Sequence, residues 1–167
     1  DVLNFFSGRL ANLLTSQGYS YDVVDAILAR GIDNLTDIAN RVAALQQMEK
    51  DPAFESMAVS FKRVVNILRT AQPPTGVNPA CFEHEAEKKL YQKYLDIRDR
   101  VRELMAQREY LQALQLIATL REAVDNFFDN VLVMAEDMKV RNNRLALINE
   151  ANSLFAAFAD FSKIAAE

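Results

Sequence analysis

In 167 residues the sequence contains no tryptophan, one cysteine, one histidine, four glycines and four prolines. Each scarcity excludes something. The lone Cys81 has no partner for an internal disulfide, which fits a reducing cytoplasm. A single histidine, His84, makes a metal site unexpected, and Cys81 three residues away completes no recognisable ligand set. Nor does Cys81–His84 read as a nucleophile and base, because nothing is placed to orient the base. His84, flanked by Glu83 and Glu85, is expected as an exposed residue on a charged helix. With so few glycines there is no phosphate-cradling loop and no dinucleotide fingerprint, nor a strand to carry one. No apolar run approaches the ~20 residues of a membrane span, and no signal-peptide pattern is present. No catalytic set, no metal and no cofactor are expected in this stretch.

What is abundant points one way. Half of the residues are hydrophobic and a quarter are charged, the balance of a folded chain. Ala, Leu, Glu, Arg and Gln are strong helix formers and dominate, so the expected fold is all-α, a bundle of about six to eight helices. The chain is read as one domain, 1–167. Its internal break lies near 71–79 (AQPPTGVNP), where tandem prolines and a glycine cannot continue a helix.

Periodicity places the helices. Residues 2 to 17 carry Leu3, Phe6, Leu10, Leu13 and Leu14 on one stripe, with Gly18 as a stop. Ser20 opens a helix reaching Arg30, with Val23, Val24, Ile27 and Leu28 inward, and Asn34 caps a third to about Glu49. Asp51-Pro52 opens a fourth, with Phe54, Met57, Phe61, Val64, Val65 and Leu68 inward. Beyond the break, Asn78-Pro79 predicts a helix over about 80–107. Its charges, Glu87 among them, are read as a solvated face of mixed sign. A short helix follows over 109–118.

Residues 120 to 164 organise the rest. They read as two helices joined by an acidic bend, with Leu120, Val124, Phe127, Phe128 and Val131 in the first and Leu147, Ala151, Leu154, Phe158 and Phe161 in the second. The phenylalanines, Phe155 included, are read as core; Leu132, Val133, Met134 and Ala135 are read as packing at the helix end. Glu136-Asp137 is read as the cap of the second helix. Arg141, Asn142, Asn143 and Arg144 then crowd its start, where cations oppose the helix dipole. Either Asp125 or Asp129 compensates them, or they await an external anion.

The net charge is −4, yet two windows lack acids: Ser56–Phe82, with Lys62, Arg63 and Arg69, and Met138–Asn149, with Lys139, Arg141 and Arg144. Brought together they would give an acidic protein one basic face; apart, they are solvated helix surfaces.

The segments LREAVDNFFDNVLVMAED, RNNRLALI and ADFSKI, preceded by FFSGRL, DVVDAILA and KRVVNIL, resemble in order and spacing the carboxyl-terminal part of the β subunit of bacterial glycyl-tRNA synthetases. That region is an all-helical anticodon-binding domain of the DALR type. Ile148 and Ala151 depart from the aliphatics expected there. The resemblance implies a module that recognises the anticodon arm of a glycine tRNA and performs no catalysis. The parent enzyme would join glycine to tRNA using ATP, with its active site on a separate α subunit. The α subunit and other β-subunit domains would be its protein partners. An anticodon loop offers phosphates and splayed bases. Lys62, Arg63, Arg69, Lys139 and Arg141 are therefore expected at phosphate. Asn66, Asn143 and Arg144 are expected either at base edges or as struts holding the helices in register. The alternatives are a helical docking module without direct tRNA contact and the DALR domain of an arginyl-tRNA synthetase.

Overall fold

The computed structural model describes residues 2–32, 34–71, 73–74 and 76–164, with side chains from Phe5 onward. Among these it contains eight α-helices: α1 Val2–Ser16, α2 Tyr21–Leu28, α3 Leu35–Met48, α4 Ala53–Thr70, α5 Glu85–Ala106, α6 Tyr110–Ala118, α7 Arg121–Asn130 and α8 Met138–Ala156. Two 3-10 turns, Pro79–Cys81 and Phe161–Lys163, complete the set, and the described residues include no strand. The all-α expectation is met.

The helix ends follow local chemistry. Gly18 takes φ +96° after α1, a conformation an L side chain resists. Asn34 Oδ1 accepts from the Asp37 N–H at 3.0 Å and opens α3. Asp51 Oδ1 accepts from the Ala53 N–H at 2.9 Å at the mouth of α4. The expected helix over 80–107 starts later than its proline suggests. After Pro79–Cys81 the backbone is extended at Phe82 and His84, and α5 begins at Glu85. His84 is the N-cap: its Nδ1 accepts from the Ala86 N–H at 3.1 Å. The Glu87 carboxylate reaches back to the N–H groups of Glu83 (2.9 Å) and His84 (2.7 Å). With these donors satisfied one turn downstream, the helix has no reason to begin at Ala80. His84 is exposed as expected, but it caps the helix instead of lying along it.

The core runs through both parts of the chain. α5 packs on α6, α7 and α8, while α3 packs on α6; α4 lies on α7, α8 and the last 3-10 turn. Phe61, Phe127, Phe155, Phe158 and Phe161 are all fully buried, and Phe128 nearly so. At the far end, the Asp160 N–H donates to the Ala26 carbonyl at 2.9 Å and Lys163 Nζ meets Asp25 Oδ2 at 2.7 Å. Arg41 Nη1 donates to the carbonyls of Ala157 (3.2 Å) and Phe158 (3.3 Å), a cation on the orphan carbonyls that end α8.

Two expectations about packing fail. Along α1 only Leu14 is buried and Leu10 half-buried, while Phe6 and Leu13 stand open, because no described element covers that side; the Leu3 side chain lies outside the described residues. In the 131–137 segment Val133 is buried, but Leu132 and Met134 point outward. The chain turns at Val133-Met134 and bends again at Glu136-Asp137, so the four apolar residues do not share one face.

Two interior tyrosines end on carboxylates. Tyr94 Oη donates to Glu150 Oε2 at 2.6 Å, and Tyr110 Oη donates to Asp37. Burial, reinforced by these acceptors, raises both phenol pKa values above the ordinary 10. A group raised in the folded state contributes stability in full below its unfolded pKa and loses it as pH climbs through the folded value. Stability should therefore fall as pH rises above about 10. Phenolate absorbance should show Tyr94 and Tyr110 titrating late, above the ordinary phenol range. In Tyr94→Phe, one of the late transitions should vanish.

Candidate nucleic-acid interface

α4 buries Phe54, Met57, Ala58, Phe61 and Val64 and turns its cations the other way. Lys62 is half-buried, whereas Arg63, Asn66 and Arg69 are exposed. Steps of four and three place Lys62, Asn66 and Arg69 on one outward stripe. Arg63 sits beside it with its guanidinium 4.3 Å from the centre of the Phe128 ring on α7, a cation–π contact that rests one side of the guanidinium on the ring while the residue stays exposed.

The second window opens α8. Asp137 Oδ1 accepts from the N–H groups of Lys139 (2.7 Å) and Val140 (3.2 Å), as the acidic bend predicted. The Val140 and Lys139 N–H bonds hold its carboxyl below the usual aspartate range. Lys139 is exposed, and Arg141 is half-buried with Nη2 against the Met138 sulfur.

Packing sets α4 beside α7 and α8. The end of α4 carrying Arg69 runs toward the start of α8, while Lys62 and Arg63 stay near the Phe61–Phe155 contact. Ser60 Oγ donates to Asp125 Oδ1 at 2.5 Å and Arg63 covers Phe128, so α4 and α7 run in the same direction. Phe61 packs on Phe155, and Val65 lines a cavity with Asn152, so α8 runs against α4. At 1.5 Å per residue, Arg69 lies ~12 Å along α4 from Phe61, and Arg141 ~21 Å the same way along α8 from Phe155. The exposed Glu136 lies in the same region, so the face is mixed in sign.

Asn143 and Arg144 face the other way. Asn143 is 6% exposed and holds the backbone of Asn78, accepting its N–H at 2.7 Å and donating to its carbonyl at 3.1 Å. Arg144 is 7% exposed and donates to Glu87 Oε1 (3.1 Å), Glu83 Oε2 (3.0 Å) and the Leu132 carbonyl (3.0 Å). Both are struts. A base edge cannot reach polar groups already engaged in the interior. The choice between base edge and strut left open for Asn66, Asn143 and Arg144 thus divides: Asn66 is on the surface, Asn143 and Arg144 inside.

The compensating acids are also different from those expected. Asp125 is held by Ser60 and by Arg121 Nε at 3.2 Å, and Asp129 is exposed. The partners of Arg144 come from α5 and its lead-in, and Glu87, read as solvated, is fully buried. In the run Glu83, Glu85, Glu87 the three acids look alike. Only the cap at His84, an unusual residue for that position, selects Glu87 for the interior. Among the described residues no group of three or more His, Cys, Asp or Glu could hold a metal ion, and no helix is long and apolar enough to cross a membrane.

The profile of the DALR anticodon binding domain matches residues 57–165. The chain belongs to that family. This DALR domain is also 50% identical over 166 residues to the glycine–tRNA ligase beta subunit of Geotalea uraniireducens, covering 99% of this chain and 24% of that protein. The corresponding figures are 46% over 165 residues for Trichlorobacter lovleyi, with 99% and 24% covered, and 40% over 167 residues for Syntrophus aciditrophicus, with 100% and 24% covered. The domain thus spans about a quarter of the length of these relatives. The family match begins inside α4, while the relatives align along the whole chain, so α1 to α3 are shared with the beta subunits outside the matched DALR segment.

Proposed function

We propose that this DALR domain recognises the anticodon arm of a glycine tRNA on behalf of a cytoplasmic glycine–tRNA ligase. It performs no chemistry itself. The ATP-dependent joining of glycine to tRNA takes place on a separate α subunit, its partner in the enzyme. The observation that supports this reading is the presence of two acid-free windows on adjacent helices, α4 and α8, in a net-acidic domain of an anticodon-binding family. Lys62, Arg63, Arg69, Lys139 and Arg141 meet backbone phosphates there, and Asn66 is the one polar amide of the set free to meet a base edge. Arg63 and Arg141, partly fixed by Phe128 and Met138, lose less side-chain freedom on contact than free arginines would.

Fluorescence anisotropy with a glycine tRNA across a salt series tests the proposal. Replacing both Lys62 and Arg63 with Glu should weaken binding at least about tenfold and reduce the salt slope by about one to two. Substituted anticodon bases should weaken binding as well. Equal affinity for every tRNA would reduce the site to a nonspecific cationic surface, and preference for an arginine tRNA would transfer it to the arginyl enzyme. No binding at low salt by the folded chain would favour a module that only docks other protein.

A further inference from the structure

α1 presents an apolar stripe that the described residues cover only in part. Its fifteen residues, VLNFFSGRLANLLTS, carry a single charge, Arg9. Its apolar residues Phe6, Leu10, Leu13 and Leu14 share one stripe, and such a stripe belongs against another layer. Here α1 packs chiefly on α2, burying Leu14 and half-burying Leu10 and Ala11. Among the described side chains its large apolar ones are otherwise open: Phe5 is 59% exposed, Phe6 55% and Leu13 54%. Across a groove of about 590 Å³ stand Ile32 and Leu35, the latter 62% exposed on the first turn of α3. Among the described residues its lining includes no acid and one cation, Arg9, which lies 5.3 Å from the centre of the Phe5 ring at the rim.

We infer that this groove docks another part of the same β-subunit polypeptide, an apolar surface with a carboxylate or backbone carbonyls at its edge to meet Arg9. Two observations select that occupant. The relatives devote about three quarters of their length to sequence outside this region, so such a surface exists in cis and at high effective concentration. In addition, α1 to α3 lie outside the segment matched by the DALR family but inside the alignment to the beta subunits, as expected of a layer that adapts the module to its parent chain. A contiguous apolar face of this kind is where a monomeric domain is covered by a partner. The inference rests on family membership and not on the tRNA reading, and it stands or falls separately from it.

Cysteine labelling tests it. In a Cys81→Ser background, Leu13→Cys and Leu35→Cys are each made in the isolated chain and in the full-length subunit that carries this sequence, with Glu122→Cys on α7 as a second exposed site. Each site's maleimide rate in the full-length protein is compared with its own rate in the isolated chain. Positions 13 and 35 are expected to slow at least tenfold in the full-length subunit and to label freely in the isolated chain. Unchanged rates at both in the folded full-length subunit would overturn the inference. It would also be overturned by protection in the isolated chain that grows with concentration alongside a doubled mass in light scattering. That result would assign the groove to a second copy of the chain.

Discussion

Arg144→Ala is expected to cost about 3–5 kcal/mol, a large share of the 5–15 kcal/mol typical of a folded domain. The substitution strips the only guanidinium from a buried carboxylate. Glu87 is fully buried and would keep the N–H groups of Glu83 and His84 but lose its counter-charge. It also abandons the Leu132 carbonyl. The penalty is therefore mostly the cost of an orphaned charge, and the matched double variant Glu87→Leu with Arg144→Met should recover much of it. Urea unfolding of the two variants decides the matter, the double being the more stable. A loss below about 1 kcal/mol in the single variant would class the link with exposed ion pairs. Because Leu132 lies in the connection from α7 to α8, any folded Arg144→Ala protein should also show faster amide exchange across 131–137.

Phe155→Ala should be comparably severe, about 3–5 kcal/mol, for an unrelated reason. Its ring is wedged between Phe61 of α4 and Phe161 of the last 3-10 turn, the latter at 4.9 Å and nearly perpendicular. Removing it leaves a cavity at the junction of three elements. Phe61 and Phe155 share that space, so the double substitution to Ala should cost less than the two single ones summed. Chemical denaturation of the four proteins measures the coupling, and strict additivity would mean that the rings do not share one cavity.

Much of this architecture is legible in the residues. The 3.6-residue spacing of Val124, Phe127 and Phe128, or of Leu147, Ala151 and Leu154, declares a buried helix face wherever it occurs, and these residues are buried. Caps such as Asn34 and Asp137 act on donors two or three residues away, so the local sequence contains the whole interaction. The site was less legible because its decisive contacts are distant. Arg144 and Glu87 are 57 residues apart, and nothing in either neighbourhood announces the other. A cluster of two arginines and two asparagines near a helix start looks like an anion site, and half of it turned out to be interior scaffolding. The stripe Lys62, Asn66, Arg69 could be drawn from spacing alone, but that the Arg69 end of α4 runs toward the start of α8 required the directions of α4 and α8. The openness of α1 was hidden for a different reason. Hydrophobic spacing says which residues seek cover and is silent on whether cover arrives.

The stitching at the far end of the molecule bears on how an RNA would be met. Asp160 on Ala26, Lys163 on Asp25 and Arg41 on the end of α8 join the last residues to the first helices, while Asn143 clasps Asn78 just beyond the proline connection. The chain is thereby closed into a loop of contacts. A surface on α4 and α8 is held in shape before any ligand arrives. On the proposed reading, the disorder surrendered on binding would belong mostly to the RNA loop and to the lysine stems, and a stiffer or more pre-stacked loop would bind more tightly to an unchanged protein.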